Sequence, residues 1–341
     1  MKKLLLYVTI VVAGMIACKK DDAENPYSEI TVSMGTDSGN DVYYSLANGE
    51  VSELDRSDWD IAFSVPLMTA SVIINEGAGV ELYCIGDTND WSLIDENIID
   101  NLQPRYNDKA NLMTGAFNIN AKPFPNYGWG TYHNGVLDIH GVPNHDVGGD
   151  SCYVIKLSDG SYKRFMIRAK LGANSGSIIR WADIDGSNEV VDTVSTIPYI
   201  AHKHFLHYSI VNKEIVEAEP EMDTWDLLFT RYVVVIPAGP GTVMNQMVTG
   251  ILSKKDVEIA KVTDLPAVSA KETDSQAGYV DNASEIGYDW KVFDPMTLEI
   301  SIADSVSYFI KATDNSKYQI YFKAYGGLAN GTITFMQKKV D

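Results

Sequence analysis

A Trp-Asp pair leading into an apolar strand occurs twice in this chain, and that repetition limits the possible folds more than any other feature. Asp58-Trp-Asp-Ile-Ala-Phe63 returns as Thr224-Trp-Asp-Leu-Leu-Phe229, an offset of 166 residues. Each copy follows a Tyr-Ser strand and turn, Tyr44-Ser-Leu-Ala-Asn-Gly-Glu-Val51 and Tyr208-Ser-Ile-Val-Asn-Lys-Glu-Ile215. Downstream, Tyr127-Gly-Trp-Gly-Thr-Tyr132 matches Tyr288-Asp-Trp-Lys-Val-Phe293 at an offset of 161, and Leu137-Asp-Ile139 matches Leu298-Glu-Ile300. From Tyr153 to Ile179 the offset is 155 without a gap, and the turn Asp159-Gly-Ser161 falls on Asp314-Asn-Ser316. Strands, turns and tryptophans recurring in one order mark a tandem duplication. The offset shrinks because the first copy is longer between its blocks, as surface loops permit.

The pattern inside each copy is β. Runs of four to eight residues rich in Val, Ile, Thr and Tyr are separated by Gly, Asn and Asp, and Asn48-Gly49 is a tight-turn signal. No stretch carries the period of a long amphipathic helix, although a short helix is expected around Trp91 to Asn101. The expected fold is mostly β, with two tandem β-sandwich-type domains over residues 30–190 and 200–341. The closing strand, Gly331 to Val340, is expected to be tied into a sheet. A chain of 341 residues with 45% apolar content can build two cores. Its net charge of −19 argues against nucleic acid as a partner, because phosphate recognition needs a basic footprint.

Residues 1–17 read as a signal peptide. Lys2 and Lys3 precede an apolar run from Leu4 to Met15 that is short for a spanning helix. Met15-Ile-Ala-Cys18 resembles a bacterial lipobox, which implies cleavage before Cys18 and lipidation of its thiol. Lys19-Lys-Asp-Asp22 resembles the export tag of Bacteroidetes-type surface lipoproteins, and residues 18–29 read as a lipidated tether. The expected location is the outer membrane, facing the cell exterior, with membrane contact through the lipid alone. Cys84 and Cys152 remain, in a compartment that allows disulfides. They either form a bridge or are two buried thiols on strands. The second copy has Lys261 and Ser307 in their places.

The second copy resembles the HmuY family of haem-binding lipoproteins. The resemblance is carried by Thr224-Trp-Asp-Leu-Leu-Phe-Thr-Arg-Tyr232, Pro237-Ala-Gly-Pro-Gly241, Val248-Thr-Gly-Ile251, Val257-Glu-Ile-Ala260, Ile286-Gly-Tyr-Asp-Trp290 and the closing hairpin Tyr308 to Phe335. It covers most of residues 205–340, and the first copy looks like a diverged version. The resemblance implies a β-domain that captures haem outside the cell and passes it to a TonB-dependent outer-membrane transporter. It also implies iron held by two axial His or Met side chains.

A haem clamp needs two soft or imidazole ligands across the macrocycle and an apolar slot. Met244 and Met247 follow the Gly-Pro loop of the second copy, and Met296 is the candidate opposite ligand. In the first copy Met68, His133 and His140 are the corresponding candidates, with His145 beyond the Gly141-Val-Pro-Asn turn. Methionines of this kind also serve as gap-fillers in cores. Ala201-His-Lys-His-Phe-Leu-His-Tyr208 is a denser cluster, in which His202 and His204 are candidates for a transition metal.

Motifs for nucleophilic, zinc-dependent or phosphate chemistry are missing, so an enzyme is not expected. The alternative to haem capture is a glycan- or protein-binding surface lipoprotein, with Trp91, Tyr127 and Trp129 offering a sugar-stacking face.

Overall fold

The computed structural model describes residues 26–340 apart from 67–68, 96, 101, 134–145, 173–175 and 295. The chain is mostly β, built of several antiparallel sheets. Its first half supplies β1 (Ser28–Ser33), β2 (Asn40–Ser45), β3 (Gly49–Asp55), β4 (Ile61–Ser64), β5 (Val72–Ile74), β6 (Glu81–Asp87), β7 (Gly130–Tyr132), β8 (Val147–Gly149), β9 (Ser151–Lys156), β10 (Tyr162–Leu171) and β11 (Gly176–Asp183). The second half supplies β12 (Val190–Val194), β13 (Phe205–Ser209), β14 (Glu214–Val216), β15 (Leu227–Gly239), β16 (Thr242–Ser253), β17 (Glu258–Val262), β18 (Lys291–Asp294), β19 (Glu299–Ile302), β20 (Ser307–Lys311), β21 (Lys317–Tyr325) and β22 (Thr332–Val340).

Among the described residues each half contributes eleven strands, and every strand of the first half has its counterpart eleven places later. One large sheet runs β1–β22–β21–β20–β17. Its counterpart runs β12–β11–β10–β9–β6, with β8 and β7 added at the far end of β10. Register is kept as well. Phe165 faces Tyr153 as Ile320 faces Tyr308, and both long hairpins carry a bulge, at Ile167/Ala169 and Phe322/Ala324. An extra residue at the same point of both hairpins bends both sheets alike.

The two copies exchange their leading strands. β2 and β3 do not pair with β4 of their own copy. They extend the β15–β16 hairpin, giving the sheet β16–β15–β2–β3. Likewise β13 and β14 extend β4 and β5, giving β14–β13–β4–β5. β1 closes against β22 and β12 against β11. The boundary expected near 190 therefore separates sequence repeats but not units of packing. Residues 59–216 enclose one core, from Ile61 through Trp129, Tyr153 and Trp181 to Leu206, Tyr208 and Ile210. Val32, Val42, Tyr44 and Leu46 join residues 227–335 in the other. The physical reason is edge satisfaction. β4 and β15 each have an open side, and the hairpin that covers it comes from the sequence of the other copy.

The aspartate of each Trp-Asp pair fixes this exchange. Asp226 Oδ2 accepts from Leu46 N at 2.8 Å, and Asp226 N donates to Tyr44 O at 2.8 Å. Asp60 Oδ2 accepts from Ile210 N at 2.7 Å, and Asp60 N donates to Tyr208 O at 3.0 Å. Each carboxylate thus satisfies a buried turn N–H of the hairpin from the other copy, and burial raises both carboxyl pKa values. The tryptophans follow suit. Trp59 meets His207 edge-on at 4.5 Å, and Trp225 meets Tyr43 edge-on at 4.9 Å.

Other expectations resolve directly. The segment around Trp91 forms a 3-10 helix, Thr88–Leu93, started by a capping box from Asp87 and Asp90. Among the described residues the only α-helix is the short turn Gly327–Asn330. The closing strand lies inside a sheet, between β1 and β21. Cys84 and Cys152 are free thiols, one half-buried and one buried, and the Cys152 thiol donates to Asp87 O at 3.0 Å. The bridge is therefore not formed. They sit on paired strands but out of register, Cys84 facing Tyr153 and Cys152 facing Gly86.

Removing the aspartate side chain should strand a buried amide. Asp60→Ala and Asp226→Ala are each expected to lower unfolding stability by about 1–3 kcal/mol. The Asn variants keep an acceptor oxygen and should lose clearly less. Urea melts of the four proteins check this, and equal losses for Ala and Asn would refute the role given to the carboxylate oxygen.

Candidate functional site

The structure scatters the residues expected to hold a ligand. Met244 and Met247 lie on β16, where the β15–β16 hairpin runs beyond its sheet, opposite Ile236 and Val233. Met244 is 50% exposed and Met247 is half-buried. Met296 sits in the turn joining β18 and β19 and is 90% exposed. Their hairpins are apolar on the outside: Val235 and Val243 on one, Val292, Phe293, Leu298 and Ile300 on the other, all exposed. None of these three methionines lines any of the described cavities. His133 follows β7, and its backbone N–H donates to Asp146 O at 2.9 Å. Met68, His140, His145, Leu137–Ile139 and Cys18 lie outside the described residues.

The histidine pair expected to bind a metal is divided between two carboxylates. His202 Nδ1 lies 2.9 Å from Glu221, and His204 Nδ1 lies 2.9 Å from Glu219. Among the described residues no group of three or more His, Cys, Asp or Glu side chains is arranged to hold a metal ion. The metal candidates are therefore hydrogen-bonded to carboxylates at the entry to β13, where Glu219 also accepts from the backbone N–H groups of His204 and Phe205.

The sugar-stacking face is absent for a similar reason. Trp129 is 1% exposed and donates its indole N–H to Ala70 O at 2.7 Å. Trp91 is also buried, with the Arg180 guanidinium over its ring at 4.3 Å. Tyr127 is half-buried against the first core. The two tryptophans are packed inside rather than turned to solvent.

What the exchange does create is a cavity of about 110 Å³ between the two four-stranded sheets. β2, β15 and β16 contribute Tyr43, Leu228, Thr230 and Leu252, and β5 and β13 contribute Ile73, Phe205 and His207. Trp59 and Trp225, the paired tryptophans, both line it. So do Asp41, Glu76 and Glu219, each already engaged. Asp41 Oδ1 accepts from Arg56 Nε at 2.7 Å and from Thr230 Oγ1 at 2.6 Å, Glu76 pairs with Lys109, and Glu219 holds His204. Burial raises the carboxyl pKa of Asp41 and Glu76 despite these cations.

Four side-chain groups in the wall lack a protein partner, His207 Nδ1, Trp225 Nε1, Arg231 Nε and Tyr232 Oη. Burial lowers the His207 pKa to about 3, so the ring is neutral. Lys254 is 3% exposed, and its ammonium donates to Met222 O at 2.8 Å. Among the described residues no carboxylate stands within 4.0 Å of it. Burial pushes its pKa down. Trp225 belongs to the repeated phrase and His207 to the histidine cluster, so both were visible in the sequence. Lys254, in Ser253-Lys-Lys255, carried no signal at all.

No protein-family model, curated protein or solved structure matches this chain.

His207 yields a pH prediction. Its unfolded pKa is near 6.5 and its folded pKa lies far below, so the unfolded state takes up the proton first as pH falls. This group therefore lowers stability as pH drops below about 6.5. The buried carboxyls with raised pKa values, Asp41, Asp60, Glu76 and Asp226, act in the opposite sense but are common to wild type and variant. His207→Gln should lose less stability than wild type between pH 6.5 and pH 5 in parallel denaturant titrations. Identical pH slopes would remove His207 from the account.

Proposed function

We propose that this chain is a surface-anchored binding protein whose second copy captures haem. One observation carries the reading. The second copy projects two hairpins, 227–253 and 291–302, whose outer residues are apolar and whose exposed parts carry Met244 and Met296. Clusters of exposed apolar side chains on an acidic protein are costly for solubility and mark places where a ligand or partner is bound. Thioether sulfurs in solvent suit soft axial ligation of iron. The resemblance of residues 205–340 to haem-binding lipoproteins supplies the choice of haem among flat apolar ligands.

On this reading Cys18 carries the lipid, the exchanged β-scaffold holds the hairpins in solvent, and an outer-membrane transporter receives the cargo. Binding, not turnover, is the activity, in keeping with buried carboxylates that are already held by cations, a histidine or backbone N–H groups. The acidic surface gives haem propionates no attraction, so affinity rests on ligation and burial of the ring. The same exposed residues also fit a protein partner, which is the second reading.

A visible-spectrum titration with haemin, using the chain from Lys19 onward, tests the proposal. The expected result is a saturable Soret shift. Met244→Ala or Met296→Ala should weaken it at least about tenfold, on the order of 1.4 kcal/mol, with the melting transition unchanged. A flat difference spectrum would sink the haem reading and leave the hairpins as a protein-docking surface.

A further inference from the structure

The inter-sheet cavity is separate from the methionine hairpins and has a chemistry of its own. Its polar wall has donors to spare. Trp225 Nε1–H can only donate, and it is buried without an acceptor. The Lys254 ammonium has three donors and one protein acceptor, the carbonyl of Met222. His207 Nδ1 is buried and unpartnered on the opposite sheet. The buried carboxylates in the wall are already committed, Asp41 to Arg56 and Thr230, Glu76 to Lys109, and Glu219 to His204 and two backbone amides. The Lys254 ammonium feels the charges of Asp226, Asp223 and Glu219 only at a distance, and the Trp225 indole N–H is orphaned, so each is expensive to keep buried. A cation entering the cavity would find its buried carboxylates engaged and only the exposed Asp108 without an ion pair among the described residues. A neutral polyol would bring no charge to the ammonium.

We propose that this cavity binds a small organic monoanion, a carboxylate with a short apolar tail. Its charged end accepts from the Lys254 ammonium and the Trp225 indole N–H, and its tail packs against Phe205, Leu228 and Leu252. His207 supplies a third donor in the tautomer that carries its proton on Nδ1. The size is consistent. The cavity holds about 110 Å³, and an apolar cavity of roughly 150 Å³ accommodates a benzene ring. The cargo is therefore limited to a handful of heavy atoms, far smaller than a tetrapyrrole.

The site exists only because the copies exchange strands. Leu228 comes from β15, with Trp225 just before it, and Phe205 and His207 come from β13 of the other sheet. The wall is also asymmetric. The exchanged hairpin of the first copy brings Asp41 and Tyr43, while that of the second brings Phe205 and His207 at the equivalent places.

The test uses the full soluble chain with selectively ¹⁵N-labelled tryptophan, whose six indole N–H signals include that of Trp225, identified by its loss in Trp225→Phe. Propionate and butyrate are titrated against their neutral amides, propionamide and butyramide. The expected result is a saturable shift of the Trp225 signal with at least one carboxylate at millimolar concentration, the amide binding at least tenfold more weakly. Lys254→Met should weaken carboxylate binding at least tenfold while its melting transition stays cooperative. No shift of the Trp225 signal with either carboxylate would overturn the proposal, as would amides that bind equally well. The wild-type comparison decides the matter even if a variant fails to fold.

Discussion

Two hydrogen bonds from backbone N–H to carboxylate hold this architecture together, from the turn after β2 to Asp226 and from the turn after β13 to Asp60. Each replaces a contact with water that a buried amide cannot make, and each does so across the boundary between sequence copies. With those turns fixed, β2 and β13 cover the open sides of β15 and β4. The two cores close, and the facing sheets enclose the cavity. The tryptophan next to each aspartate adds area without direction, while the aspartate fixes the register. This explains why the phrase that repeats most faithfully is the one at the exchange.

Much of the scaffold was legible because duplication lets one copy check the other. The offset of 155 in the closing hairpins predicted not only equivalent strands but equivalent turns, and the paired bulges sit at that same offset. β12 escaped notice. Its residues Val190 to Val194 offer a single half-buried alternation, and only pairing with β11 gives them a place. Strand exchange was not legible either. Repeats reveal which segments are equivalent but not which equivalent partner each one meets, since both pairings use the same local pattern. The site shows the same division. Side-chain type drew attention to Met244, Met296 and the histidine cluster, yet burial decides what each can do. Trp129 and Trp91 have aromatic faces suited to sugars and spend them inside the protein. Lys254 has no motif around it and acquires meaning only from the walls it faces.

The copies have diverged where the scaffold leaves them free. In the first, the segment between β6 and β7 is long and packs its own residues, Phe117 and Ile94 among them, into cores. In the second, the hairpin of β15 and β16 is the long element, and it carries apolar residues outward. A left-handed residue in the exchanged turns shows the same freedom on a smaller scale. Gly49 occupies it in the first copy and Lys213, at φ 59°, in the second, where a side chain with a β-carbon carries a cost that glycine avoids.

The exchange also dictates an order of assembly. Residues 59–216 are contiguous and contain every strand of their own core, so this half can close as soon as it is available. The strands β1 to β3 emerge early but cannot finish, because β1 pairs with β22, Ser28 opposite Gln337, and β2 pairs with β15. Contacts so distant in sequence are made late, after most of the loop-closure entropy has been met by other contacts. Until then Val42, Tyr44 and Leu46 have no core to enter. When such a chain emerges leading end first, β1 to β3 wait for β15 and β22, so the half of the fold that starts first in sequence is the last to be finished.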